Sequence, residues 1–334
     1  MNFQLDEDTV LLRDSVRELA KQKAEVVAGW DSARALPEEW LGELGEMGLL
    51  AMQVPEEQGG AGLSTLASLA VLEELGALCA STALTVAVHN LLGLGLGADA
   101  AGGILGFARG LEAAGHGEGY RVSGTDPAAF GATTAAGFVV LATVDGAVVP
   151  LHVRRADLTA ERSRTLGLRA ADIGAVTFTN APATRLPGDV ARAWTDFRLA
   201  LGFIAVGIGR AALAEGVGYA QEREQFGKPI AKFQAIQWKL ADLATGLDAA
   251  MLMLGTAATR GEGRDAAAAR ASLVAVQAVT TGCSDMLQVH GGYGYTEEYA
   301  IERHYRDARA VALYAGIRDE ARAAVAEGIV ARYT

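Results

Sequence analysis

Arg223, Phe226, Gln234, Gln288, Gly291 and Gly292 are the residues whose types and spacing best suit chemistry, and the chemistry is the holding of a dinucleotide. Arg223 opens the run Arg223-Glu224-Gln225-Phe226-Gly227-Lys228-Pro229-Ile230, which Phe233-Gln234 follows. A guanidinium is a planar charged fork suited to a pyrophosphate, and the nearby phenyl ring offers an apolar plate. In Gln288-Val289-His290-Gly291-Gly292-Tyr293-Gly294, adjacent glycines let a ligand approach the backbone, while Gln288 and Gln234 supply neutral hydrogen bonds. Taken singly, each has a plainer reading: Arg223 as half of a surface ion pair, the Gly-Gly pair as a turn. His89 and His290 lie near no second His or Cys at ligand spacing, so both read as structural and no metal is expected.

Long helices must carry these groups. From about Asp189 onward, apolar residues recur at helical spacing in Trp194 to Arg223, Pro229 to Arg260, Arg264 to His290 and Ile317 to Ala331. Their alanine and glycine content suits close packing in a bundle and at a subunit interface. The first hundred residues also read as helices: Val10, Leu11, Val16, Leu19 and Ala20 share a face, and Pro37 opens a helix carrying Trp40, Leu41 and Leu44. Ser64 and Ser81 are candidate caps for Leu66 to Leu78 and Ala83 to Leu92. After about Gly102 the pattern shortens. Tyr120 to Ser123, Phe138 to Thr143, Ala147 to His152 and Ala175 to Phe178 predict strands separated by turns such as Asp145-Gly146. The expected fold is α+β and mostly α: an N-terminal helical domain over 1–101, a small middle β domain over 102–188, and a C-terminal four-helix bundle over 189–334.

Composition narrows the function classes. With 51% hydrophobic residues in 334, the chain buries a substantial core, and disorder is excluded. Against 29 basic residues stand 40 acidic ones, a net charge of -11 that leaves no counterion-releasing surface for nucleic acid. Cys79 and Cys283 stand far apart in apolar helical contexts and read as buried free thiols. The N-terminus is acidic and lacks the apolar core of a signal sequence before Val10, so a cytoplasmic protein is expected. Leu75 to Ala98 carries no formal charge and is long enough to span a bilayer. Ser81, Thr82, Thr85, His89 and Asn90 near its centre, the glycines from Gly93 to Gly97 and the lack of a basic flank predict a buried helix and no membrane contact.

Five ordered motifs make the chain resemble the acyl-CoA dehydrogenase family over nearly its whole length. Pro55-Glu56-Glu57 with Gly59, Gly60 and Gly62 is similar to the family's P-E-x-x-G-G-x-G loop, and Val88-His89-Asn90 to the V-H-N of its substrate-cavity helix. Arg223 to Gln234 is similar to R-x-x-F-G-x-x-I-x-x-F-Q, Gln288 to Gly294 to Q-x-x-G-G-x-G, and Arg306-Asp307-Ala308 to R-D-A. The resemblance implies the three-part fold, FAD as cofactor and an acyl-CoA substrate. It further implies that Arg223, Phe226, Gln234, Gln288, Gly291 and Gly292 bind the pyrophosphate and adenosine part of an FAD held on a neighbouring subunit. The assembly so implied is a dimer, or a tetramer built as a dimer of dimers, homo- or hetero-oligomeric. Arg198 matches an arginine at the start of the first C-terminal helix and is the substrate-binding candidate.

The family oxidises an acyl-CoA thioester across its α and β carbons: a glutamate takes the α proton as the β hydride passes to the flavin. Here the usual base position is Ala315, within Tyr314-Ala315-Gly316-Ile317, and the alternative position, just before the helix arginine, is Phe197. Neither side chain takes a proton, so no catalytic residue is expected in this chain. Val122-Ser123-Gly124-Thr125 is similar to the family's V-N-G-x, but Ala128-Ala129-Phe130-Gly131 stands where W-I-T-N should face the flavin ring. The family's T-E-P-x-x-G-S-D loop has no counterpart between Arg109 and Tyr120, so the β domain is expected to be shortened. The losses fall on the chain's own active site, while the half given to a neighbour is kept. The favoured reading is a base-lacking subunit that shares FAD with a competent partner. Two alternatives stand beside it. One is a self-sufficient flavoenzyme with oxygenase-type chemistry or another base, Asp196, Asp319 or Glu320. The other is a non-catalytic binding or assembly protein of the same fold. Adjacent helix side chains point ~100° apart, so none of these acids replaces the missing base by simple identity.

Overall fold

The computed structural model describes residues 6–100, 103–116, 119–314 and 317–333. Local chemistry sets the helix ends in the first hundred residues. Helix α1 (Glu7–Lys23) starts where the Asp6 carboxylate accepts the Thr9 N–H at 2.7 Å, and α2 (Val27–Ala33) follows a single 3-10 turn. Helix α3 (Glu38–Glu46) begins directly after Pro37. Ser64 caps α4 (Thr65–Leu78) by accepting the Ala67 N–H at 3.2 Å, as the sequence predicts. Ser81 caps nothing. Cys79 adopts an extended conformation that ends α4, and α5 (Ala80–Ala87) starts at once, leaving Ser81 inside its first turn. The apolar stretch from Leu75 is therefore two helices, continued by a π-helical turn at Val88–Gly93 whose residues are all buried. Cys79 and Cys283 are both buried free thiols.

The middle of the chain is a closed sheet. Strands β1 (Leu105–His116), β2 (Gly119–Phe130), β3 (Gly137–Val144), β4 (Ala147–Arg154), β5 (Leu158–Arg162) and β6 (Ile173–Arg185) run in the order β2-β1-β3-β4-β6-β5, and a second pairing of β2 with β6 closes the ring. Its interior holds Phe138 and Phe178 edge to face at 6.1 Å. The predicted strands all lie within β2, β3, β4 and β6; β1 and β5 were not anticipated. Strand β1 is glycine- and alanine-rich, and it forms because it has a partner on each side, β2 antiparallel and β3 parallel. It pairs with β2 as far as His116 opposite Gly119, so β1 leads almost directly into β2.

Helix α6 (Val190–Glu222) is the axis of the C-terminal part and packs against α4, α7 (Gln234–Ala258), α8 (Arg264–Val289) and α9 (Ile301–Leu313). Glycines let α4 and α6 touch backbone to backbone. A Cβ on Gly76 would lie 2.7 Å from the Ile204 carbonyl oxygen, and one on Gly207 would overlap that of Glu73. Helix α10 (Ile317–Tyr333) packs on α8. Helix α9 was not anticipated, because its sequence is rich in charge that the fold buries: His304, Arg306 and Asp307 are each less than a tenth exposed. Among the described residues α6 and α7 are long and apolar enough to cross a membrane; α6 is buried in the bundle, whereas α7 leaves Trp238 and Leu252 exposed.

Arg306 joins the three parts. Its guanidinium meets Asp31 on α2 at 2.9 Å, Glu302 one turn earlier on α9 at 2.6 Å, and the Leu166 carbonyl of the β5–β6 connection at 3.0 Å. Asp307 accepts the Leu168 N–H at 2.7 Å, and Gly167 lies so close that a Cβ would overlap the Arg306 carbonyl. The acidic partners hold the Arg306 guanidinium above its usual range, against the effect of burial. Burial pushes the Asp307 carboxyl up to about 6, against the Leu168 N–H and Arg306.

Arg306→Met leaves the half-buried Glu302 without its cation and Asp31 with Arg169 alone, and is expected to lower stability by about 1–3 kcal/mol in chemical denaturation. Because the Asp307 pKa is raised on folding, its contribution is fully present below about pH 4 and lost as pH rises through about 6, roughly 3 kcal/mol in all. Asp307→Asn is therefore expected to lose less stability than wild type between pH 4 and pH 8. Gly207→Ala should cost about 1–3 kcal/mol by forcing α4 and α6 apart. Gly218→Ala, where a Cβ meets nothing within 4 Å, should instead stabilise α6 by about 0.5–1 kcal/mol.

Candidate functional site

Three of the predicted dinucleotide residues line one cavity. Arg223, Gly291 and Gly292 surround a space of about 460 Å³ together with Tyr219, His290 and Tyr293. Arg223 is the C-cap of α6, one helical turn after Tyr219, so both side chains leave the same face. The next residues form a hairpin of β7 (Glu224–Gln225) and β8 (Lys228–Pro229), and the Ile230 N–H donates to the Arg223 carbonyl at 2.8 Å. Gly291 and Gly292 begin the 3-10 turn Gly291–Tyr295 that follows α8. Phe226, Gln234 and Gln288 lie outside the cavity wall, at the hairpin tip, the first residue of α7 and the last turn of α8, all exposed.

Several features of this face have no use within the chain. The Arg223 side chain makes no hydrogen bond or ion pair among the described residues, so the surface-pair reading has no partner here. Phe226 is 92% exposed and sits at φ 53, followed by Gly227 at φ 74, a turn that holds a phenyl ring out in solvent. Among the described residues its ring neighbour is Phe233, edge-on at 6.2 Å. The two glycines differ from Gly294, whose missing Cβ is required by the Leu287 carbonyl. Gly291 needs its bareness for a φ of 58, but Gly292 has neither a positive φ nor any atom within 4 Å of where a Cβ would stand. His290 is buried and stacked on Tyr219 at 4.3 Å; its Nδ1 meets the Met286 carbonyl at 2.8 Å and its Nε2 is buried with no partner. Burial lowers its pKa, which keeps the ring neutral. Sequence reasoning took His290 as structural and passed over Tyr219 and Tyr293. The helical spacing of Tyr219 and Arg223 was the available signal.

The other half of the site is packed. Ala315 lies outside the described residues. Phe197, the alternative base position, is fully buried, with its ring 5.8 Å from Trp194 and 6.2 Å from Tyr314. Burial pushes the Tyr314 phenol far above its usual range. Arg198 reaches away from this seam to Asp265 at the start of α8, and the Ser272 hydroxyl donates to its carbonyl. The three acids considered as substitute bases are all engaged. Asp196 pairs with Arg264, Glu320 accepts from Arg109 and from the Trp194 indole, and Asp319 meets Arg318 and Arg322 at the surface.

A cavity of about 760 Å³ lies between the N-terminal helices and the barrel, its apolar wall including Leu36, Leu41, Leu50, Phe130 and Ala171. His89 also lines it, while its Nδ1 accepts the Leu105 N–H at 3.1 Å and burial lowers its pKa to about 4. It is a neutral brace between the π-helical turn and β1.

Comparison with known proteins agrees with this architecture. Family models described as the acyl-CoA dehydrogenase N-terminal domain and C-terminal domain match residues 6–100 and 190–330. The chain is 30% identical over 380 residues to the probable acyl-CoA dehydrogenase YngJ of Bacillus subtilis (strain 168), covering 99% of this chain and 100% of that protein. It is 32% identical over 381 residues to the mitochondrial short-chain specific acyl-CoA dehydrogenase of Bos taurus, covering 99% and 92%. Alignments of that length against a chain of 334 mean that these relatives carry residues this chain lacks. Among solved structures, butyryl-CoA dehydrogenase from Megasphaera elsdenii superposes with a TM-score of 0.91 at 23% identity, covering 99% of this chain and 100% of that one. A chain in the structure of the electron transferring flavoprotein of Acidaminococcus fermentans also gives 0.91, at 26% identity, covering 98% and 99%. The chain belongs to the acyl-CoA dehydrogenase family.

Proposed function

We propose that this chain is a base-lacking subunit of an acyl-CoA dehydrogenase assembly, lending the pyrophosphate and adenosine half of an FAD site to a neighbouring subunit. The observation that carries the reading is the contrast between its two halves. Around Arg223 an unpaired cation, an exposed phenyl ring and an open glycine face outward, above a buried imidazole nitrogen without a partner. These residues fit a dinucleotide: Arg223 neutralises phosphate charge, Phe226 covers an aromatic base, and Gly292 admits close approach of the backbone. Gln234 and Gln288, exposed at its margins, offer neutral hydrogen bonds. When bound, FAD supplies the two-electron acceptor for oxidation of an acyl-CoA thioester. The apolar cavity beneath His89 takes the acyl group. Removal of the α proton falls to the partner, since Phe197 offers no acceptor and Asp196, Asp319 and Glu320 are committed to cations. Glycine- and alanine-rich α7, with Trp238 and Leu252 exposed, gives the assembly its contact face.

The chain purified alone is expected to be colourless and inactive toward acyl-CoA; one FAD per chain with turnover contradicts the reading. In the assembly, Arg223→Met should weaken FAD binding by 10- to 100-fold, about 1.5–3 kcal/mol, read by flavin fluorescence. Gly292→Ala should weaken it about tenfold while leaving the melting temperature of the isolated chain unchanged, because its Cβ enters open space.

A further inference from the structure

The seam between the barrel and the start of α6 is built from rings. Phe107 on β1 lies 6.1 Å from Trp194, Trp194 lies 5.8 Å from Phe197, and Phe197 lies 6.2 Å from Tyr314 at the end of α9. Phe107, Phe197 and Tyr314 are buried, and Trp194 is partly so. Arg109 closes the seam from the barrel side, its guanidinium 5.1 Å over the Trp194 ring. The same guanidinium donates to Glu320 at 2.7 Å, and the other Glu320 oxygen accepts from the Trp194 Nε1 at 3.1 Å. The Arg109 backbone is fixed in turn by Asp126, which accepts its N–H at 2.8 Å and also that of Ala128. Both Glu320 oxygens and the Trp194 indole N–H are thus paired, and Trp194, Phe197 and Tyr314 line neither of the cavities described above.

The position matters because Phe197, one of the two base positions, is part of this seam, and the strand expected to face the flavin ring runs beside it. Phe197 is in it, Tyr314 immediately precedes Ala315, and Ala128 to Phe130 lie on β2, where Phe130 stands opposite Phe107. An isoalloxazine is a flat aromatic plate that stacks on aromatic side chains. Its residues here do not fit that group: the volume is already taken by indole, phenyl and phenol rings of the chain itself. We infer that the Phe107–Trp194–Phe197–Tyr314 cluster, locked by Arg109 and Glu320, is an internal plug that excludes a flavin ring from this chain's own site. The inference rests on the reading of a donated half-site and deepens it, because the chain's own ring compartment is filled rather than vacant. Supplying a base at Ala315 alone would then not create an active site.

Riboflavin, which carries the ring without the adenosine half, tests the plug, and ADP, which carries no ring, tests the donated half-site separately. Quenching of riboflavin fluorescence is expected to be absent for the wild-type chain and to appear for Trp194→Leu/Phe197→Ala, with at least tenfold tighter binding. Trp194→Leu alone serves if the double variant does not fold. The plug is refuted if wild type binds riboflavin as tightly as the variant, or if a variant with cooperative, native-like melting still binds none. ADP binding to wild type, lost in Arg223→Met, is expected in either case. Its absence would count against the donated half-site and leave the riboflavin result to judge the plug.

Discussion

A single buried guanidinium decides how this protein is put together. Arg306 holds a carboxylate from α2, a carboxylate from its own helix and a carbonyl from the barrel, and its neighbour Asp307 takes a barrel N–H. Such a cluster is costly to bury and costlier to break, because losing the cation strands Glu302 and leaves Asp31 to Arg169 alone. What it secures is position. Helix α9 is pinned against the β5–β6 connection, and its far end delivers Tyr314 into the ring cluster. The R-D-A motif that supports the family resemblance thus acts as a joint.

The glycines separate the needs of this chain from the needs of something outside it. Gly76, Gly207 and Gly294 are bare because the chain's own backbone lies against them. Gly292 is bare with nothing near it. Packing explains the first group; Gly292, like Gly218, has no packing reason, and it is its place on the Arg223 cavity that ties it to the proposed half-site. The large rings show the reverse. Phe197 and Tyr314 are satisfied by each other and by Trp194, leaving no demand for a ligand at that seam.

Much of this was legible in the sequence where local chemistry decides the outcome. The Ser64 cap, the helix after Pro37, the strands of alternating apolar residues and the long bundle helices depend on neighbours within a few residues. What escaped was decided by distant partners. Strand β1 looks too small and glycine-rich to be a strand until β2 and β3 flank it. Helix α9 looks too polar to be buried until Asp31 is placed beside Arg306. The same holds for the site. Arg223, Gly291 and Gly292 were recognisable by type and spacing and do converge, whereas Arg109 and Glu320, two hundred residues apart, are joined over Trp194 only by the fold. Arg198 was read as a substrate ligand by its position, and its side chain is found in an ion pair with Asp265.

On the proposed reading, this chain keeps the half-site it gives away and fills the one it would use. Native mass spectrometry of the assembly purified with its partner tests this most directly by counting FAD against each kind of subunit. FAD equal in number to the partner subunits is expected, with the sites of this chain's own copies empty. FAD in excess of the partner subunits, up to one for every subunit of both kinds, would contradict it.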